Sequence, residues 1–142
     1  MDTDKPQPSS GIEYRRADDF SAQYANNVFY ETSLWDMKLI FGQLDQTLGP
    51  NVVVQHGSIT MPWPQVKMML YFLRANLAAH EARNGRVGLQ PTLISLVPDK
   101  VPKELASNPK EVKTHAALLK IQQEFFAENP EAAPESVKSN EG

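Results

Sequence analysis

One stretch constrains this chain more than any other. It is Pro64–Asn84, PQVKMMLYFLRANLAAHEARN, closed by Gly85. Pro64 suits a first helical turn, where its missing N–H would have no intrahelical partner. Gly85 suits the position just past a helix end, where a left-handed backbone is common. Lys67, Met68, Met69, Leu70, Leu73, Arg74, Ala75, Leu77, Ala78 and Ala79 are good helix formers. On a 3.6-residue wheel, Val66, Met69, Leu70, Leu73 and Leu77 make one apolar stripe. Met68, Tyr71, Phe72, Ala75, Ala79 and Ala82 make a second, roughly opposite. Only Lys67, Arg74 and Glu81 leave a clear polar line. A helix that covers one side of a sheet needs one stripe, so two stripes need two partners.

Either both partners lie within the chain, or the small-residue side (Ala75, Ala78, Ala79 and Ala82) meets a second subunit. The expectation is the second. Alanines let helix backbones approach closely, and large exposed apolar patches are uncommon on soluble monomers. The expected subunit contact is Met68, Phe72, Ala75, Ala78, Ala79 and Ala82. A membrane span is not expected. Arg74 breaks the apolar run, and His80, Glu81 and Arg83 follow well before the ~20 apolar residues a span needs.

The chain has 142 residues, enough for one domain with a single core and mobile ends. Its formal charge of -3 offers no general attraction for nucleic acid. It has no cysteine, which excludes disulfides, thiol chemistry and cysteine-based metal sites and fits a cytoplasmic protein. The start, MDTDKPQPSS, lacks the basic and apolar runs of a secretory signal.

In order, residues 1–19 read as a flexible arm, with Pro6, Pro8 and Gly11 opposing regular structure. Residues 20–98 read as an α+β core. Ala25–Thr32 is a strand by Val28, Phe29 and Tyr30. Asp36–Gln43 is a second, pairing as a hairpin, with Met37, Leu39 and Phe41 alternating onto one face. Asn51–Met61 is a third, with Gly57 marking a bulge and Pro62 its end. The short connection after it implies that the helix folds back near the end of this strand. Thr92–Val97 reads as a fourth strand or an extended docking segment, flanked by Pro91 and Pro98. Residues 99–130 read as a linker and a second helix, Ser107–Asn129, capped by Asn108 and stopped by Pro130. Residues 131–142 read as a disordered polar tail.

No reaction is written in this chain. His56, His80 and His115 lie on separate elements, and His80-Glu81 has no second histidine four residues on. No serine has a Gly-x-Ser-x-Gly setting, and no phosphate-loop or dinucleotide motif occurs. Catalytic residues, cofactors and metals are not expected. A sheet bearing exposed aromatics beside basic residues can stack single-stranded bases. Phe29, Trp35, Lys38 and Trp63 are the candidate binding surface for that reading. For Trp63, between Pro62 and Pro64, the competing role is a staple at the helix entry.

From Tyr24 to Gly88 the chain resembles a family of short bacterial proteins known only as a conserved domain of unknown function. The matching features are Tyr24-Ala25-Asn26, Asp36-Met37-Lys38-Leu39-Ile40-Phe41-Gly42, Gly49-Pro50 and Thr60-Met61-Pro62. They continue with Lys67, Leu70, Leu73, Asn76-Leu77, and His80-Glu81 followed by Gly85. The family's usual tyrosine is replaced by His80, and its usual alanine before the helix lysine by Val66. That family brings no catalytic residue to transfer. The order of antiparallel sheet and long helix is also similar, at the level of fold, to SecB-type export chaperones, which hold unfolded clients on apolar grooves.

The expectation is therefore an α+β fold: an antiparallel sheet of three or four strands packed by one long helix, plus a C-terminal helix. The expected function is that of a non-enzymatic oligomeric binding or scaffold protein, chaperone-like toward a protein client. The alternative is a single-stranded nucleic-acid-binding protein that uses the sheet aromatics.

Overall fold

The structure is a computed structural model, and it describes residues 11–90 and 94–135. The fold is α+β: a three-stranded antiparallel sheet, a long helix and a C-terminal helix. The chain divides into two compact units within the long helix, between Leu73 and Arg74.

The first unit holds the sheet, in the order β1 (Asn27–Thr32), β2 (Asp36–Leu44), β3 (Val53–Pro62). β1 and β2 form a tight hairpin. The Ser33 hydroxyl accepts hydrogen bonds from the Trp35 and Asp36 N–H groups (3.1 Å each) and donates to the Asp36 carboxylate at 2.6 Å. These bonds satisfy the turn's polar groups locally, so a short polar turn suffices. β2 and β3 are joined through a short 3-10 turn, Gln46–Leu48, whose entry is capped by Asp45. The Asp45 carboxylate accepts from the hydroxyl and the N–H of Thr47, and these two bonds hold its pKa below the ordinary value.

Pairing sets the two faces of the sheet. Val28, Tyr30 and Thr32 stand opposite Phe41, Leu39 and Met37, which stand opposite Gly57, Ile59 and Met61. Directly paired residues share a face. One face is therefore almost wholly apolar, and the other carries Phe29, Glu31, Lys38, Ile40, Ser58 and Thr60. At the centre of the apolar face, Leu39 is 4% exposed; Tyr30 and Ile59 beside it are open to solvent. The register slips between Phe41 and Gly42: Gly57 pairs with Phe41 and Gln55 with Gly42, which leaves His56 as the extra residue. The bulge thus sits beside Gly57, as the sequence implies, but the glycine itself remains paired.

β3 runs straight into α1 (Trp63–Asn84) with no loop. The helix ends as its sequence demands. Gly85 has a φ of 91° and its N–H bonds to the Glu81 carbonyl at 2.9 Å. No residue of α1 is buried among the described residues.

In the second unit residues 85–90 and 94–98 have no regular secondary structure, residues 103–107 form a turn, and α2 (Pro109–Glu128) follows. The Asn108 side chain caps α2 by accepting from the Lys110 N–H at 3.0 Å, and Pro109 and Glu111 complete its first turn. Of the expected fourth strand, Thr92 and Leu93 lie outside the described residues, and 94–97 are not assigned to a strand. Val97 instead gives its N–H to the Gln122 side chain at 2.6 Å.

The tail expectation needs correcting. Pro130–Ala132 forms a 3-10 turn, and Ala132 and Ala133 are buried against Phe126. Leu89, Ile94 and Phe125 complete this small core. Two alanines give no periodic signal, yet they fit a space that a larger side chain would overfill. Residues 136–142 of the expected tail, and 1–10 of the expected arm, lie outside the described residues.

Two substitutions test this packing. A methyl group at Gly42 would stand 2.7 Å from Val53 Cγ1 and 2.8 Å from the Val54 carbonyl oxygen. Gly42→Ala should cost about 1–3 kcal/mol, read as a lower urea midpoint. Phe126→Ala should cost about 3 kcal/mol or more, because it empties the centre of the second core.

Candidate interaction surfaces

The largest candidate surface is α1 itself. Met68, Leu70, Tyr71, Phe72 and Leu73 are each 54–68% exposed, and Leu77 is half exposed. The Tyr71 and Phe72 rings meet edge to face, 5.3 Å between centroids. Of the expected contact residues, Met68, Phe72, Ala75, Ala78 and Ala82 are exposed and Ala79 is half-buried. Exposed leucines also continue around the helix onto the other stripe. The expected open side was the stripe of Met68, Phe72 and the alanines, and residues of both stripes are exposed. Only Val66 and Met69 on the first stripe are half-buried.

The second candidate surface lies at the β1–β2 turn and on the polar sheet face. Trp35 is 77% exposed. Trp63 is tied down, because its Nε1–H donates to the Ser33 carbonyl at 3.2 Å. This bond fixes the start of α1 to the hairpin turn, which is the staple role. Phe29 and Lys38 share the polar face of the sheet, since Phe29 pairs with Ile40 two residues along from Lys38. The Lys38 ammonium is 3.1 Å from the Glu31 carboxylate, so its charge is already partly matched. Phe41 lies on the opposite, apolar face and does not join this group.

A polar cleft of 390 Å³ opens at the far end of the sheet, lined by Gln43, Leu44, Asp45, Gln46, Val54 and His56. The three histidines stay apart in role. His56 lines this cleft, His80 meets Asn84 on the next turn of α1, and His115 Nε2 lies 2.5 Å from the Pro98 carbonyl oxygen. Among the described residues, no group of three His, Asp or Glu side chains is placed to hold a metal ion.

One polar arrangement in the second unit was not legible from spacing. Arg86 Nη2 donates to the Glu128 carbonyl at 2.8 Å, the Asn129 side-chain oxygen at 3.4 Å and the Glu131 carboxylate at 2.8 Å. A guanidinium thereby closes the C-terminal end of α2, where free carbonyls and the helix dipole favour a cation. Glu131 titrates below its ordinary value of 4.5. Its own backbone N–H contributes most to the lowering, then the Arg86 guanidinium and the Leu89 N–H, against an opposing push from burial. Its second oxygen is enclosed without a hydrogen-bond partner.

No protein-family model matches the chain, and neither a curated protein nor a solved structure does. No helix among the described residues is long and apolar enough to cross a membrane.

The Arg86–Glu131 arrangement predicts an acid-side stability effect. Because the carboxyl pKa is lower in the folded chain than unfolded, its contribution is present above about pH 4.5. It is lost as the pH falls through the folded value. Thermal unfolding followed from pH 7 to pH 3 should show this loss in the native chain, and Glu131→Gln should remove that component.

Proposed function

We propose that the protein is a non-enzymatic binding or scaffold protein of the cytoplasm, and that it works as a homodimer or larger homo-oligomer. The single observation that carries this reading is the exposure of α1 on both of its apolar stripes. Helices in water draw most of their stability from packing an apolar face, not from propensity. Covering the open halves of Met68, Leu70, Tyr71, Phe72 and Leu73 removes roughly 400 Å² of apolar surface. That is about half of the ~800 Å² that a standard interface takes from each partner. At ~25 cal/mol per Å² it is worth roughly 10 kcal/mol before the costs of association. A second copy offers a chemically matched surface, and Ala75, Ala78, Ala79 and Ala82 allow two helices to approach closely.

Two copies of one helix cannot cover both stripes at once unless the assembly grows. The remaining apolar surface is what a client would use. We propose that this client is an extended apolar segment of another protein, held in a chaperone-like manner. The resemblance to short bacterial proteins of unknown function is compatible with this reading. So is the sheet-and-helix order shared with SecB-type chaperones.

A second reading rests on Phe29 and Trp35, both exposed near Lys38: stacking of single-stranded nucleic acid. The Glu31–Lys38 pairing and the net charge of -3 weigh against it.

Ala75→Lys places a charge on the small-residue side and should weaken association tenfold or more without changing the unfolding of the sheet. Sedimentation velocity over a concentration series measures this, and unchanged association would remove the alanine side from the contact. In a light-scattering assay, the native chain should suppress aggregation of a reduced, unfolding test protein, and Phe72→Asp should suppress it less. If instead the chain retains single-stranded DNA in a salt-dependent way, with Trp35 fluorescence quenched, the nucleic-acid reading replaces the client reading.

A further inference from the structure

The free edge of β1 has a geometry that fits one partner in particular. Ser33 N–H bonds to the Asp36 carbonyl at 2.9 Å. In an antiparallel ladder, alternate residues exchange bonds with the neighbouring strand while those between point their N–H and C=O groups away. Stepping back by two from Ser33–Asp36, the bonded pairs with β2 are Glu31–Lys38, Phe29–Ile40 and Asn27–Gly42. Val28, Tyr30 and Thr32 therefore aim their backbone groups outward. No backbone bond outside the ladder joins these three to any described residue.

The two edges of the sheet are not equally open. Natural edges are blunted by lysine, proline or a bulge. β3 has the His56 bulge and ends at Pro62. β1, NVFYET, has no lysine or proline, and its central residues Val28, Phe29 and Tyr30 favour an extended chain.

We propose that a second copy of this chain adds to the β1 edge, antiparallel about a twofold axis at Tyr30, which makes one continuous sheet of two copies. This inference rests on the homo-oligomer reading above and names the contact strand. The register is self-complementary. With Tyr30 facing Tyr30 of the second copy, Val28 faces Thr32 and Thr32 faces Val28, so every outward N–H and C=O of the edge meets a partner. Phe29 then faces Glu31, which keeps the two Glu31 carboxylates from standing opposite one another. Val28 and Tyr30 lie on the same face as Leu39 and Ile59, so the apolar faces of the two copies join into one. That joined face is continuous through the axis, and it is the broad apolar floor that the client reading requires.

The chain contains no cysteine, so one introduced thiol reports alone. In the proposed register the two residues at position 30 are a hydrogen-bonded pair with Cα atoms about 5.5 Å apart, inside the range a disulfide spans. The two residues at position 32 are offset by four residues, roughly 13 Å, which is too far. Tyr30→Cys should give a covalent dimer under mild oxidation on a non-reducing gel, at least tenfold faster than Thr32→Cys at equal concentration. Tyr30→Cys forming dimer no faster than Thr32→Cys overturns the proposal. Thr32→Pro gives an independent reading, because it removes an outward N–H and leaves the bonds to β2 in place. It should weaken association about tenfold with the circular dichroism spectrum retained; unchanged association overturns the proposal. If the native chain is oligomeric by mass but both tests fail, the contact lies elsewhere and the oligomer reading stands. If the native chain is monomeric, both fall.

Discussion

An apolar helix with no buried residue among those described is the constraint from which the rest of this structure follows. α1 begins where β3 ends, with Pro62 and Trp63 adjoining and no loop to redirect the chain. The Trp63 indole hydrogen bond to Ser33 holds that start against the hairpin turn. From there the helix carries leucines, methionines and aromatics outward on more than one side. Water in contact with that surface is unfavourable at roughly 25 cal/mol per Å², and the sheet has the same character on one face. Leu39 alone among the described residues of the first unit is a buried side chain.

The second unit solves a smaller version of the same problem by polar means. Its core is Phe126 with two alanines. Around it, single side chains do the work that a larger core would otherwise do. Asn108 closes the start of α2, Arg86 closes its end, and Gln122 takes the N–H of the passing strand-like segment. Each bond satisfies a backbone group that would otherwise face solvent or lie unpaired. The unit is therefore sensitive to charge where the sheet is sensitive to shape.

Much of this was legible in the sequence. Pro64, Gly85, Asn108 and Pro130 marked helix ends because proline, glycine and asparagine have few other reasons to stand where they do. The Met37–Leu39–Phe41 alternation placed β2 and its inward face. What was not legible depends on partners distant in the chain. The Arg86 contacts join residues more than forty positions apart, and no local period announces them. Ala132 and Ala133 looked like part of a polar tail because a small core needs small residues, and small residues carry little pattern. The second apolar stripe of α1 was expected to meet a second subunit, and among the described residues it is exposed except at Ala79. On the first stripe Leu70, Leu73 and Leu77 are exposed as well, which the periodicity alone does not distinguish from a packed stripe. The outward geometry of β1 could have been inferred from the two-residue turn Leu34-Trp35, which fixes the pairing parity of the hairpin.

The central claim is that copies of the chain associate with one another in solution. The most direct measurement is the solution mass of the native chain by size exclusion with light scattering, at several loading concentrations. The expected result is twice the chain mass of 15.9 kDa or a larger multiple. A species of 15.9 kDa at every concentration would contradict it.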